Sequence, residues 1–179
     1  MAISDIFNGA VRLLGATILA AAVSIPPGYA TPVTTGGERG PVTNLPIPRY
    51  VSMKSTKGNV RRGPSLSHRI DWVFKRRNMP LQITAENGHW RRVQDRDGMG
   101  GWVHYALLSG VRTVLVERDM LQVYTRPDPK TPVSAAFELG VVARLGACIQ
   151  EWCRISAGGY KGWARKESLW GVLPGELRD

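Results

Sequence analysis

Residue types that carry chemistry in proteins are scarce in this chain of 179 residues, which has only three histidines and two cysteines. His68, His89 and His104 all precede Cys148, which is the reverse of the order in cell-wall cysteine peptidases. The chain also lacks His-Glu-x-x-His, Cys-x-x-Cys and Gly-x-Ser-x-Gly, the motifs of zinc peptidases, dithiol redox proteins and serine hydrolases. We therefore predict a protein that is not an enzyme and has no catalytic residues, no metal site and no cofactor.

Two weaker candidates for chemistry lie in one turn. Gly98-Met99-Gly100-Gly101 has the glycines of a phosphate-binding loop, but neither Lys-Ser/Thr nor a helix follows it, so we interpret it as a hairpin turn. Asp95 and Asp97 could bind a cation, although carboxylates on a Gly-rich turn are usually solvated. His104 is interpreted as structural and His89 as facing water.

Charge is more informative than these candidates. The chain carries a net charge of +10, and residues 49–110 hold 12 Lys/Arg against 4 Asp/Glu, whereas residues 111–179 hold 10 against 8. A field of this sign attracts anionic partners. Adjacent residues of a strand point to opposite faces, so each basic pair should place one side chain on each side. The candidate binding residues are Arg61, Arg62, Lys75, Arg76, Arg77, Arg91 and Arg92.

The N-terminal segment bears on the compartment. Leu13 to Val23 is an apolar run, shorter than the roughly 20 residues of a transmembrane helix, and Gly28-Tyr29-Ala30 fits a small-x-small cleavage site. Residues 1–30 are therefore predicted to be a signal peptide, with a buried helix or an uncleaved anchor as the alternatives. Residues 31–48 are predicted to be a Pro/Gly linker, or else an ordered arm along the domain. We expect an exported, periplasmic protein with no transmembrane span after cleavage.

The rest of the chain consists of short strand-like runs separated by turn signals, and it repeats itself. Val60-Arg61-Arg62-Gly63-Pro64 recurs at an offset of 63, Trp90-Arg91-Arg92-Val93 at 62 and Gly101-Trp102-Val103 at 61. These anchors predict two all-β units, 49–111 and 112–174. Each unit should form a partly open barrel of five to six strands and pack on the other. Asn87-Gly88 predicts a hairpin with a type I′ turn.

The repeat also predicts roles for two residue types. Trp90, Trp102, Trp152 and Trp163 are expected to be structural aromatics that close the small cores, rather than ligand-stacking residues. Cys148 and Cys153 align with Glu86 and Arg91, as two cross-strand neighbours would. An oxidising compartment would permit a disulfide between them, and two reduced, structural thiols are the alternative.

Several of these elements resemble one known family. Asn59-Val60-Arg61-Arg62-Gly63-Pro64-Ser65 is similar to the N-V-R-x-G-P-S element of bacterial Src-homology-3-like (SH3b) domains. Further elements follow in the family's order: Trp90-Arg91-Arg92-Val93, Gly101-Trp102-Val103-His104 and Leu107-Leu108-Ser109-Gly110, then Cys148 to Cys153, Gly162-Trp163 and Leu169 to Glu176. The nearest group is the signal-bearing, tandem-domain proteins of alphaproteobacteria. The resemblance implies tandem SH3-like barrels in the cell envelope, and it implies no activity because family members are commonly non-catalytic targeting or binding modules.

Two functions from different classes follow. The first is a binding module that holds peptidoglycan, an anionic lipid head group or an acidic protein through the basic first unit. Nucleic acid fits the charge equally well, but a signal peptide argues against it, and a merely solvated basic surface is a further alternative. The second is a structural or regulatory protein that interacts through the second unit, near Trp170. A cell-wall hydrolase is a distant third, and the oligomeric state is left open.

Overall fold

The computed structural model describes residues 38–179, which contain two antiparallel sheets of seven strands each. The predicted signal peptide lies outside the described residues. The strands of the first sheet are β1 (Arg49–Met53), β2 (Gly58–Arg61), β3 (Ile70–Phe74), β4 (Pro80–Asn87), β5 (Trp90–Gln94), β6 (Gly100–His104) and β7 (Leu108–Ser109). Those of the second are β8 (Thr113–Val116), β9 (Leu121–Tyr124), β10 (Val133–Phe137), β11 (Val142–Cys148), β12 (Trp152–Ala157), β13 (Tyr160–Arg165) and β14 (Leu169–Trp170).

The two sheets have the same topology. The strand order is β3-β2-β6-β5-β4-β1-β7 in the first sheet and β10-β9-β13-β12-β11-β8-β14 in the second, so each strand corresponds to the strand seven positions later. A single 3₁₀ turn precedes the last strand in both, at Tyr105–Leu107 and Lys166–Ser168. The prediction of an all-β fold with two tandem, partly open SH3-like barrels is confirmed. The seventh strand of each sheet was missed because two residues are too short to show an alternating pattern.

Alternation along the strands builds one aliphatic core per sheet. In the first, one face of the strands is formed by buried residues such as Val60, Ile83, Val93 and Val103. In the second, the core includes Val123, Leu145 and Ile155 together with both cysteines. Because every second residue of a strand faces this core, the residues between them form an outer face, and that face carries the candidate site.

The β4–β5 hairpin was predicted from Asn87-Gly88, but its turn is not type I′. That turn would need φ > 0 at both residues, whereas Asn87 still belongs to β4 and pairs with Trp90. Gly88, with a φ of 48°, supplies the positive value. The two-residue connection is therefore Gly88-His89, one position later than predicted.

The described part of the predicted linker, residues 38–48, packs on the first sheet. Arg39 and Pro46 form an isolated β-bridge, and Ile47 is buried. The backbone N–H groups of Val42 and Thr43 donate to the Glu86 carboxylate at 3.1 and 2.9 Å. This segment is thus held by main-chain hydrogen bonds, which a search for hydrophobic periodicity does not detect.

The two sheets contact one another, as expected for units near the lower size limit for folding. The Tyr50 and Trp170 rings meet edge to face, with their centroids 5.2 Å apart. The Thr113 hydroxyl donates to the Asn78 carbonyl oxygen at 2.7 Å. Trp170, which was a candidate for an external interface, is therefore used in a contact inside the chain.

Candidate basic groove of the first domain

Three side chains line up across the outer face of the first sheet. In the strand registers, Trp102 on β6 lies directly opposite Arg61 on β2 and also directly opposite Arg92 on β5. Directly paired residues of neighbouring strands project from the same face. The order Arg61, Trp102, Arg92 is therefore a row with an indole between two guanidinium side chains, and we call it the Arg-Trp-Arg row.

The Arg-Trp-Arg row forms part of the wall of a groove of about 600 Å³. Arg62 and Asp71 line the same groove, as do Thr84 and Gln94. The backbone of Gly100 lies so close to the neighbouring strand that a Cβ there would overlap the carbonyl oxygen of Val93. The groove therefore combines an aromatic surface, three cations and neutral hydrogen-bonding side chains, a combination that suits an anionic ligand with polar groups.

The three arginines of the groove differ in how far they are already engaged. Arg61 donates from Nη1 to the carbonyl oxygens of Leu66 at 2.9 Å and His68 at 2.6 Å, so it orders the loop between β2 and β3. Arg62 is largely exposed and donates to Asp71 at 3.1 Å. Arg92 is exposed and has no carboxylate within 4.0 Å among residues 38–179. Arg92 is thus the cation of this groove with the most donors left for a ligand.

Asp71 is shared between two arginines. Arg69 donates to one of its carboxylate oxygens at 2.6 Å and Arg62 to the other at 3.1 Å. These hydrogen bonds, with that from Arg69 the larger, lower the pKa of Asp71 below its usual value. Asp71 therefore remains ionised and partly neutralises the groove, but Arg61, Arg62 and Arg92 still outnumber it.

Arg91 was predicted as a binding residue, and the structure does not place it on the surface. Its side chain is buried at the end of the core, where it donates from Nη1 to the carbonyl oxygens of Gly88 at 2.8 Å and Trp90 at 2.9 Å. Its Nε lies 3.4 Å from the Glu86 carboxylate. The physical reason is strand alternation: Arg91 has the parity of the core residue Val93, whereas Arg92 has the parity of the outer face.

Glu86 is the centre of this buried network. It accepts hydrogen bonds from the Thr43 hydroxyl and from Arg49, in addition to those from the Val42 and Thr43 backbone. Burial by itself would raise the pKa of Glu86, but the hydrogen bonds from Thr43, Arg49 and Val42 outweigh it and lower the pKa to about 2. Glu86 is therefore ionised at neutral pH and holds residues 38–48 against the sheet.

Lys75, Arg76 and Arg77 are exposed and follow β3, and they do not line the groove. Arg76 donates to the carbonyl oxygen of Gly140 at 3.2 Å. No carboxylate of the described chain lies within 4.0 Å of these three cations. They form a second basic surface at the other end of β3.

The four repeated tryptophans lie outside the two aliphatic clusters. Trp90 and Trp152 are buried, and Trp152 packs under the guanidinium of Arg165 at 4.8 Å from its ring centroid. Trp102 and Trp163 are only half-buried on the outer face. The expectation that large aromatics fill the cores is wrong for Trp102 and Trp163, because small aliphatic neighbours of opposite parity, such as Val103, already occupy the core side of these strands.

The second sheet has an equivalent of the Arg-Trp-Arg row in which one arginine is replaced by tyrosine. Trp163 lies opposite Tyr124 and Arg154, so the row is Tyr-Trp-Arg and has lost one of its two cations. Sequence reasoning noted Arg61, Arg62 and Arg92 but not that Trp102 lies between Arg61 and Arg92. Strand parity together with the repeat offsets could have revealed this arrangement.

The predicted cross-strand cysteine pair is present as a disulfide. Cys148 and Cys153 are directly paired in the register of β11 and β12, with their Cα atoms 4.1 Å apart and their sulfur atoms bonded. Glu86 and Arg91 hold the same register position in the first sheet. The alternative of two reduced thiols is therefore excluded, and one position in the repeat carries a buried ion pair in one copy and a covalent bond in the other.

The remaining candidates for chemistry have local roles. Asp95 accepts hydrogen bonds from the backbone of Asp97 at 3.1 Å and Met99 at 2.8 Å, so it stabilises its own turn. His104 accepts from the backbone of Ala106 at 3.3 Å. Across residues 38–179, no three His, Cys, Asp or Glu side chains come together as a metal site would require.

The fold and the groove define a class: two tandem SH3-like β-modules, of which the first presents a basic outer face. The family model described as "Bacterial SH3 domain" matches residues 54–110 and again residues 117–171, which is more than half of the chain. The chain belongs to this family. Bacterial SH3 domains together with a disulfide indicate an extracellular or envelope protein. In the part of the chain that the structure describes, no helix has the length and apolar character to span a bilayer.

Solved structures similar to this chain include two proteins of Trichomonas vaginalis. NlpC2 has 12% sequence identity and a TM-score of 0.33, with 68% of this chain and 47% of that chain covered. NlpC1 has the same identity and TM-score, with 68% of this chain and 45% of that one covered. The chain thus spans less than half the length of either protein, and similarity of this strength carries no argument about activity. No curated protein matches the chain.

Proposed function

We propose that the protein is a non-catalytic binding module of the bacterial cell envelope that holds peptidoglycan in the basic groove of its first domain. The observation that supports this most is the Arg-Trp-Arg row, in which Arg92 is exposed beside the half-buried ring of Trp102 and has no ion pair with any of residues 38–179. Peptidoglycan offers stem-peptide carboxylates for the guanidinium groups and sugar rings for the indole. We propose a periplasmic location, where the protein would have access to this polymer.

Guanidinium groups suit this task because they present several N–H donors in a planar fork that matches a carboxylate. Arg92 would form the direct ion pair, and Trp102 would supply an apolar surface for the part of the ligand next to the charge. Arg61 and Arg62 would add positive potential while keeping their hydrogen bonds to the β2–β3 loop and to Asp71. Exposed ion pairs contribute only about 0–1 kcal/mol each, so we expect weak, salt-sensitive binding of the groove to each site of the polymer.

The repeat provides matched controls for the experiment. Retention of the protein on purified peptidoglycan is measured at low and at raised salt, for the wild type and for the variants Arg92→Glu and Trp102→Ala. The control variants Arg154→Glu and Trp163→Ala change the equivalent row of the second domain. We expect both first-domain variants to lose retention by about fivefold, which corresponds to about 1 kcal/mol, and both controls to retain the protein.

Raising the salt concentration distinguishes retention by ionic contacts from retention by other contacts. The Debye length falls from about 10 Å at 0.1 M to about 3 Å at 1 M, so exposed ion pairs weaken strongly in that range. Wild-type protein that fails to bind at any salt concentration, or a loss caused only by Arg154→Glu and Trp163→Ala, would overturn the proposal. Release of soluble fragments during the incubation would indicate a hydrolase instead.

A further inference from the structure

The outer edge of the first sheet is formed by β3, which pairs with β2 on one side and has no strand on the other among the described residues. A strand in this position presents unpaired backbone N–H and C=O groups, and natural proteins usually protect such edges with charged side chains, bulges or short strands. β3 has a register shift against β2 and one charged side chain, Asp71, but its other four side chains are apolar. Ile70, Trp72 and Val73 are 41%, 43% and 38% exposed.

The second sheet shows that the fold does not require these side chains. Its edge strand β10 occupies the same place, and the registers align Trp72 with Ala135 and Val73 with Ala136. Both strands end in a buried phenylalanine, so that residue suffices to anchor the edge to its core. The exposed tryptophan and valine of β3 are therefore an addition specific to the first domain.

Positive charge flanks the apolar edge on both sides. Arg62 and Arg69 lie before β3 and share the single carboxylate of Asp71. The second basic surface, residues 75–77, follows β3 directly and is exposed. An extended ligand that runs along β3 would therefore meet cations at each end and apolar side chains between them.

We propose that the free edge of β3 accepts an extended acidic segment of a partner protein as an additional antiparallel strand. The row of backbone donors and acceptors selects a peptide, because a polysaccharide or a lipid head group cannot continue a β-ladder. The flanking cations select acidic residues, and Trp72 and Val73 provide contacts for the partner's apolar side chains. A second copy of this chain is disfavoured as the occupant because its own β3 would bring the same positive charges face to face.

The probe is an acetylated and amidated octapeptide that alternates glutamate with valine, titrated into the full chain. A second peptide has the same sequence with alternate backbone nitrogens methylated, which removes strand-pairing donors and leaves the charge unchanged. We expect the methylated peptide to bind at least about tenfold more weakly, because it loses two or more backbone hydrogen bonds. Equal binding of the two peptides would show that only charge is recognised and would overturn the proposal.

Variants of the two edge strands, β3 and β10, identify where the peptide binds. Trp72→Asp and Val73→Asp place a charge of the same sign as the peptide on the edge and should weaken binding by about tenfold, whereas the matched β10 variants Ala135→Asp and Ala136→Asp should bind like the wild type. Trp102→Ala should leave peptide binding within about twofold, which separates this site from the groove. Binding that is unaffected by both β3 variants, or a protein that dimerises through β3 instead of binding the peptide, would contradict the proposal. The comparison of the two peptides does not depend on how the variants fold.

Discussion

The charge of Glu86 offers a quantitative test of how the first domain is held together. Replacing Glu86 with Gln keeps the size of the side chain and removes the anion that Arg49 and Arg91 surround. The pKa of Glu86 is lowered from 4.5 to about 2, and each pH unit corresponds to about 1.4 kcal/mol. The expected loss in the free energy of unfolding at neutral pH is therefore about 3 kcal/mol.

The pH dependence gives a second readout with a defined sign. Because the folded-state pKa is the lower one, the stabilisation by Glu86 is complete above about pH 4.5 and is lost as the pH falls towards about 2. Urea denaturation followed by tryptophan fluorescence, at neutral pH and down to the acid range, measures both effects. The wild type should lose stability in this acid window, and Glu86→Gln should not show this part of the loss.

The control is Glu138→Gln, because Glu138 is an exposed carboxylate of the second domain without an ion pair to a described residue. Its substitution should change the free energy of unfolding by no more than about 0.5 kcal/mol. Equal stability of Glu86→Gln and the wild type, or the same acid slope in both, would refute the account of a buried, ionised Glu86.

Three further predictions concern other parts of the chain. Replacing Cys148 and Cys153 together with alanine should cost about 2 kcal/mol in a thermal or chemical melt, because the disulfide closes a short loop, and a melt unchanged from wild type would contradict this. Trp170→Ala should lower the free energy of unfolding by about 1 kcal/mol through loss of its edge-to-face contact with Tyr50. Its elution volume in size-exclusion chromatography should stay the same, and a changed oligomeric state would instead support an external interface. Gly100→Ala should be destabilised by more than about 2 kcal/mol because its Cβ would overlap backbone, whereas Gly110→Ala, with open space around it, should match the wild type.

The repeat made much of the fold predictable from the sequence. Aligning Glu86 and Arg91 with the two cysteines identified a cross-strand position without any coordinates, since opposite charges and a cysteine pair are both suited to direct neighbours. Strand alternation likewise predicted that each basic pair would place one side chain on each side of its strand. This was correct for Arg91 and Arg92, although the sequence did not indicate which of the two would be buried, whereas Arg61 and Arg62 both line the same groove.

The candidate site was predictable only in part. Tryptophan is most often a core residue, so Trp102 was assigned to the core, although its parity places it on the outer face with Arg61 and Arg92. For residues 38–48 the sequence left two alternatives open, a linker and an ordered arm along the domain, and the structure shows an ordered arm. Its packing depends on backbone N–H groups that donate to Glu86, and such contacts leave no pattern in the side chains.

Binding of an anionic envelope polymer by the first domain, and not by the second, can be followed directly in the protein. Trp102 and Trp163 occupy equivalent outer-face positions in the two sheets and serve as internal reporters. The most direct measurement is a titration of ¹⁵N-labelled protein with soluble peptidoglycan fragments, following the two indole N–H resonances by NMR. We expect a saturable shift of the Trp102 signal with the Trp163 signal unmoved. A shift of Trp163 alone, or no shift of either resonance, would show that the groove of the first domain is not the binding site.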